Sequence, residues 1–336
     1  MYFRICLVLV TIFLRLCVFC DKVSFKNVPV KATNVAKGRL EIGPVTGSLD
    51  PSNGLADANE ITVRDQKIPI LYKGAVKDLP RLYDLELIYS EIQEIEPGAF
   101  ENVPRLLELK LNGNKISKIQ GGILNNLNIK RLDLSFNEIN AIEPNAFNDL
   151  PNLRVLLLDN NLIREWNPNW FENTPNLLMI HFSKNLLETL PAHAFKNVKG
   201  TENVKDGWLP LENYFDFSEN KIQTIDPKAF EDIKQLDILD LRRNLISELQ
   251  PGVFSNLEKV NSIWLLDNKI TCVSDEFLDS LPHGHGIARR AYKFDANPWN
   301  CTCLEKVQTW SKEKGSKMAT LQSSIKCVIE KVKDIK

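Results

Sequence analysis

The side chains best equipped for chemistry in this chain are its cysteines. Cys301 and Cys303 flank a single residue, Thr302, within NPWNCTCLEKVQTW (297–310), with Cys272 upstream and Cys327 downstream. Thiols this close can hold a metal, act as a redox pair, or belong to two separate disulfides. Zinc and redox sites favour a Cys-x-x-Cys gap, which for a structural zinc is repeated in a second pair; Cys-x-Cys fits neither. The four histidines offer little more. His283 and His285 stand two apart and could touch one metal, but no third ligand lies near them in the sequence, so a surface loop is expected there and no metal site. No Gly-x-Ser-x-Gly, phosphate loop or His-Glu-x-x-His motif occurs. The chain is therefore expected not to be an enzyme and to need no cofactor.

The role of the cysteines depends on the compartment. Residues 1–20, MYFRICLVLVTIFLRLCVFC, begin with Arg4 and continue as an apolar run interrupted by Arg15, with Val18 and Cys20 three and one residues before Asp21. That is the pattern of a cleaved secretory signal peptide. No second long apolar run follows, and the terminal KCVIEKVKDIK is too charged for a membrane helix or a lipid-anchor signal. A soluble, secreted, extracellular protein without stable membrane insertion is expected. Loss of the signal removes Cys6, Cys17 and Cys20 and leaves four cysteines, which in an oxidising compartment read as two disulfides with three possible connectivities. A formal net charge of −1 gives no reason to expect a nucleic-acid partner, and the lysine-rich segment after Cys303 reads as a solvated tail.

The elements that position these residues repeat. LLELKLNGNKISKI (106–119), IKRLDLSFNEINAI (129–142), LRVLLLDNNLIREW (153–166) and LDILDLRRNLISEL (236–249) share the pattern L-x-x-L-x-L-x-x-N-x-I. The asparagine column runs through Asn114, Asn137, Asn161, Asn185, Asn220, Asn244, Asn268 and Asn297, and Ser90 and Gln66 extend it backwards, giving ten units. Each unit begins with a short strand whose leucines, two apart, share one face. Ten residues beyond each asparagine position a second inward column follows: Val76, Phe100, Leu124, Phe147, Phe171, Phe195, Phe230, Phe254 and Leu278. No unit can bury its own apolar edges, so both ends require covers. Within KNVKGTENVKDGWLPLENYFDF the spacing grows by eleven residues, and Gly200, Gly207 and Pro210 mark an inserted loop.

Over about residues 58–303 this pattern resembles the extracellular, 24-residue class of the leucine-rich repeat family. The resemblance implies an α/β solenoid, a curved horseshoe with a parallel β-sheet on the concave face and short helical or irregular segments on the convex face. It also implies stacked asparagine side chains that satisfy buried backbone groups. NPWNCTC looks like the start of the family's cysteine-bearing C-terminal cap, leading into a helix over about Leu304 to Lys312. The domain reading is a signal peptide at 1–20, an N-terminal segment at 21–57 that covers the first coil with a strand or two and is partly disordered, repeats at 58–296, and a cap with a basic tail at 297–336. The usual cysteine-rich N-terminal cap is absent, so the sealing of that end is left open. Cys272 and Cys301 each lie four residues after their asparagine, so geometry permits Cys272–Cys301 with Cys303–Cys327. The family cap joins its first cysteine to its third, which implies Cys301–Cys327 and leaves Cys303 for Cys272; the family pattern is followed here. Asn300 heads the chain's single Asn-x-Thr sequon and, lying in the cap beside a disulfide, is expected to stay largely unglycosylated.

Strand residues six, four and two before each asparagine should point out of the concave face. Early units place Glu60, Thr62, Arg64, Asp84, Glu86, Glu108, Lys110, Arg131 and Asp133 there. From the fifth unit the same columns carry Val155, Leu157, Met179, His181, Tyr214, Asp216, Ile238, Asp240, Trp264 and Leu266, with Asp159 and Arg242 among them. A contiguous apolar and aromatic patch of this kind marks an interface. The expected function is a secreted recognition or adaptor protein binding an extracellular protein through this patch. The alternatives are a binder of microbial or matrix glycans and lipids, or a non-catalytic subunit of a secreted enzyme. A competing reading has the loop at 199–209, with Trp208, or the N-terminal segment lying over the patch.

Overall fold

The computed structural model describes residues 22–198, 213–282, 291–314, 317–319 and 327. Its centre is a thirteen-stranded sheet. Ten strands, one per unit, run parallel through it: Glu60–Arg64, Asp84–Ile88, Glu108–Lys110, Arg131–Asp133, Val155–Leu157, Met179–His181, Tyr214–Asp216, Gln235–Asp240, Lys259–Trp264 and Ala291–Lys293. The 24-residue step sets the register, so Glu60 faces Asp84 and Asp84 faces Glu108. Register survives both long steps, since Met179 pairs with Tyr214 and Ser262 with Ala291. The extra residues of those units therefore leave the sheet alignment unchanged.

The asparagine column explains this regularity. Asn161 is typical: its Nδ2 donates to Leu158 O in its own coil and to Leu134 O in the coil before, while its Oδ1 accepts from Ile139 N. The other asparagines repeat the same bridge, down to Asn297, which donates to Leu265 O and accepts from Ile270 N. Each amide thus satisfies buried backbone groups of two coils, which would otherwise be costly to bury.

A companion feature lies one residue earlier. Asp65, Tyr89, Phe136, Asn160, Lys184, Glu219, Arg243, Asp267 and Ala296 all adopt φ between 50° and 59°, and Gly113 has φ 72° in the same column. Each coil takes one left-handed residue to turn from strand into asparagine bridge, a conformation that costs most residue types energy.

Behind the sheet, the second inward column is buried throughout. Phe147 stacks on Phe171 and Phe195 on Phe230, and the spine continues through Phe254 to Phe277. Trp166 sits between Phe171, Phe182, Phe195 and Phe217, with its indole N–H on Ala194 O. The convex side is built from turns and two-residue strands such as Val76–Lys77 paired with Phe100–Glu101. Among the described residues the α-helices Asp275–Ser280 and Cys301–Glu313 lie at the C-terminal end.

The N-terminal segment is more ordered than the sequence suggested. In place of a strand or two with partial disorder, residues 25–47 form four strands. Lys31–Asn34 adds antiparallel to the exposed edge of Glu60–Arg64, and Gly38–Leu40 adds beyond it. Phe25–Val28 pairs with Val45–Gly47, and Phe25, Val28, Val45, Leu49 and Leu55 bury themselves over the first coil. Those apolar side chains supply the cover that a cysteine cap would otherwise staple.

At the other end Asn300 caps the helix Cys301–Glu313, accepting from the backbone N–H groups of Thr302 and Cys303. Leu304, Val307 and Trp310 turn inward beneath it. The disulfides join Cys272 to Cys303 and Cys301 to Cys327. The equal-offset pairing of Cys272 with Cys301 is not the one adopted, because the chain leaves the repeat at Asn300 and enters a helix. One half-turn of that helix buries Cys303 and sets its Sγ 3.3 Å from Val273 N.

Candidate functional site

The concave columns point where strand alternation places them, but crowding between coils decides what they present. Parallel strands lie about 4.8 Å apart, so side chains of adjacent coils lean on one another.

In the early coils charges are paired within the face. Lys110 Nζ lies 2.9 Å from both Asp84 and Glu86 and 3.5 Å from Glu108. Burial alone would lower the Lys110 pKa; its hydrogen bonds to the two carboxylates overcome that and hold it above the usual lysine range. Burial pushes the Asp84 carboxyl up despite the lysine. The Tyr83 hydroxyl donates to Glu60, which also accepts from Thr33, and that bond drives the Tyr83 pKa to about 12.

In the later coils three of the residues expected to touch a partner prove unavailable. Val155 is 1% exposed, Leu157 9% and Asp240 0%. Val155 lies in register between Arg131 and Met179, Leu157 between Asp133 and His181, and Asp240 between Asp216 and Trp264. Met179, His181, Tyr214, Asp216, Ile238, Trp264 and Leu266 are half-buried. The expected exposed apolar patch is thus an aromatic and ionic surface. The most exposed large apolar side chains lie elsewhere, including Phe136 at 56% and Tyr89 at 46%.

Two linked groups organise this surface. Arg242 binds both carboxylate oxygens of Asp240 and lays its guanidinium 4.7 Å from the Trp264 ring, while the Lys293 ammonium lies 4.2 Å from the same ring. Tyr214 donates weakly to Asp216 and Asp240, both at 3.3 Å. Burial, and then the charges of Asp216 and Asp240, keep its hydroxyl well above the usual phenol range. The second group is Asp159, His181 and Asp216. His181 Nδ1 lies 3.5 Å from Asp159 Oδ2, and the imidazole meets the Tyr214 ring edge-on at 5.2 Å. Burial dominates in raising the Asp216 pKa, with further contributions from Asp240 and Asp159, against lowering bonds from Ser218.

The sequence reading missed Lys293, which stands four residues before Asn297 and is found by carrying the column one coil further. It also missed the meeting of Asp159, His181 and Asp216, since Asp159 stands two residues before its asparagine and the other two stand four before theirs, on three separate coils. The N-terminal segment pairs with the first coil and does not lie over this surface. The loop at 199–209 with Trp208, the pair His283 and His285, and the leader at 1–20 lie outside the described residues.

Comparison with known families meets the same architecture. Residues 78–202 match six copies of the BspA-type leucine-rich repeat region, and residues 209–246 and 234–283 match the leucine-rich repeat family. The chain is a leucine-rich repeat protein. Trophoblast glycoprotein of Mus musculus is 33% identical over 82 residues, which span 24% of this chain and 18% of that protein. A chain from the structure of the Drosophila Toll–Spatzle complex superposes with a TM-score of 0.61 at 20% identity, covering 79% of this leucine-rich repeat chain and 39% of its own length. Human 5T4, a trophoblast glycoprotein, superposes at 0.52 and 21% identity, covering 76% and 83%. No helix among the described residues is long and apolar enough to cross a membrane.

Proposed function

We propose that this leucine-rich repeat chain is a secreted recognition protein that binds an extracellular protein through the concave face of coils six to ten. The observation that carries the reading is Trp264, set between Arg242 and Lys293 and anchored through Arg242 on the fully buried Asp240. Tyr214 stands beside it, with ring centroids 6.4 Å apart. An immobilised aromatic with cations at its faces is the composition of a binding hot spot, since little side-chain entropy is left to lose on association. The early coils neutralise their charges internally, whereas among the described residues the Lys293 ammonium lies against the Trp264 ring. A chain from the Toll–Spatzle complex shares the fold, and that complex shows one protein of this shape engaging another. The concave side chains are paired to hold shape, which suits binding better than catalysis.

Affinity capture from native extracellular fluid tests the proposal, with wild type, Trp264→Ala and Tyr214→Ala as parallel baits. Wild type should retain one stoichiometric protein. Each variant should weaken that complex by about 1–3 kcal/mol, or roughly 5- to 150-fold, with its melting temperature nearly unchanged. Retention of the partner by both variants, together with lowered melting temperatures, would make these side chains core and move the interface elsewhere.

A further inference from the structure

We infer that Asp159, His181 and Asp216 form a binding site for one zinc-class divalent metal ion on the concave face. His181 and Asp216 end neighbouring parallel strands and Asp159 lies two residues past the strand before them; one ligand atom from each lies within 4.8 Å of the others. Ligands sharing a tetrahedral ion at about 2.0–2.2 Å stand about 3.4 Å apart. His181 and Asp159 are already at 3.5 Å, so closure requires only side-chain rotation of Asp216 towards them. The backbone beneath is fixed by the sheet and the asparagine bridges.

The carboxylates are oriented in the way metal ligands are. Asp159 Oδ1 accepts from both the backbone N–H and the hydroxyl of Ser183, which turns Oδ2 towards His181. Asp216 Oδ1 accepts from Ser218 N. His181 Nε2 is buried and has no hydrogen-bond partner among the described residues.

A second coil of the same molecule sharpens the point. Asp84, Glu86 and Glu108 also crowd the concave face, and Lys110, four residues before its asparagine, neutralises them. His181 occupies the corresponding position of its own coil. Asp240 has Arg242, whereas Asp159 is paired with this histidine and Asp216 takes bonds from Tyr214 and Ser218. Two partly buried carboxylates beside an imidazole form a donor set whose negative charge a divalent ion would balance. An imidazole with two carboxylates suits Zn²⁺ and leaves a fourth position for water or for a side chain of a bound protein. Metal binding does not depend on the identity of that protein.

The test is a calorimetric titration of the untagged, chelator-treated full chain with Zn²⁺ alone. One ion per chain should bind, and His181→Ala and Asp216→Asn should each lose at least 100-fold in affinity. The double variant His283→Ala/His285→Ala should bind as wild type does. On the wild-type chain, one equivalent of Zn²⁺ should shift the His181 imidazole nitrogens in a long-range ¹H–¹⁵N spectrum, whatever the folding of the variants. Absence of binding, binding unaffected by the His181 and Asp216 changes, binding lost with His283 and His285, or unmoved His181 signals would each overturn the assignment.

Discussion

Asn161→Ala isolates what one asparagine bridge contributes. Its loss leaves Ile139 N–H without the acceptor it has in Asn161 Oδ1, in a residue with no exposed surface. The two carbonyls it served fare better. Leu134 O keeps a bond from Asn137, and Leu158 O keeps one from Asn185. One orphaned buried donor costs about 1–3 kcal/mol, and each lost second bond about 0.5–1.5, which places the variant roughly 2–6 kcal/mol below wild type. Asn161→Asp should be at least as damaging, because a carboxylate still accepts from Ile139 but turns only lone pairs towards Leu134 and Leu158. Asn161→Ser should fall between, as Ser90 illustrates in the second coil. Its hydroxyl accepts from Gln66 N and donates to Ile88 O, with no carbonyl of the preceding coil reached. Urea unfolding measures the stability change, and hydrogen exchange locates it: Ile139 should lose protection while Ile116 and Ile163, held by Asn137 and Asn185, retain theirs. A loss below about 0.5 kcal/mol with Ile139 still protected would refute the bridge as the source of register.

Three further outcomes follow from the same structure. Gly113→Val should destabilise by about 1–3 kcal/mol in thermal unfolding, since its φ is 72° and an added Cβ would lie 2.4 Å from the Tyr89 ring. Non-reducing peptide mapping should return Cys272–Cys303 and Cys301–Cys327 with no free thiol among them, and losing either link, of sequence separation 31 or 26, should cost about 3.5 kcal/mol in the chain-entropy account. Asp216→Asn in chelator-treated protein should gain stability at about pH 7 and gain none at about pH 3: a carboxyl raised on folding from its ordinary 3.8 penalises the fold only once ionised, so equal urea midpoint shifts at both pH values would refute its burial.

The leucine and asparagine columns were legible because side-chain identity there is fixed by what the position must bury or bond. The left-handed column was not. Tyr89, Phe136, Lys184 and Arg243 share one backbone conformation without sharing a chemistry, because the bridges on either side impose it; Gly113, Asn160, Asp65 and Asp267 hint at it by type. The N-terminal cover was half-read, since its seal rests on scattered apolar residues such as Phe25 and Leu49 and not on a repeating or cysteine motif. At the concave face, alternation gives a direction for Val155, Leu157 and Asp240 and says nothing about their depth. Depth is set by the length of the neighbours 24 residues away on either side, and periodicity carries no such information.

The same ladder that crowds the concave face also separates binding from folding. A side chain four residues before its asparagine meets its counterparts one coil away on either side, so Asp216 must contend with both His181 and Asp240. Arg242, two residues before its asparagine, answers Asp240 and in doing so is drawn over Trp264. Removing Trp264 would expose that ion pair without touching any asparagine bridge, whereas removing Asn244 would free Ile222 N–H beneath a concave surface left intact. Affinity should therefore follow the outward columns and stability the asparagine column. The two can be varied independently because the outward side chains belong to the strands, whereas each asparagine lies beyond its strand, after the left-handed residue that turns the chain inward.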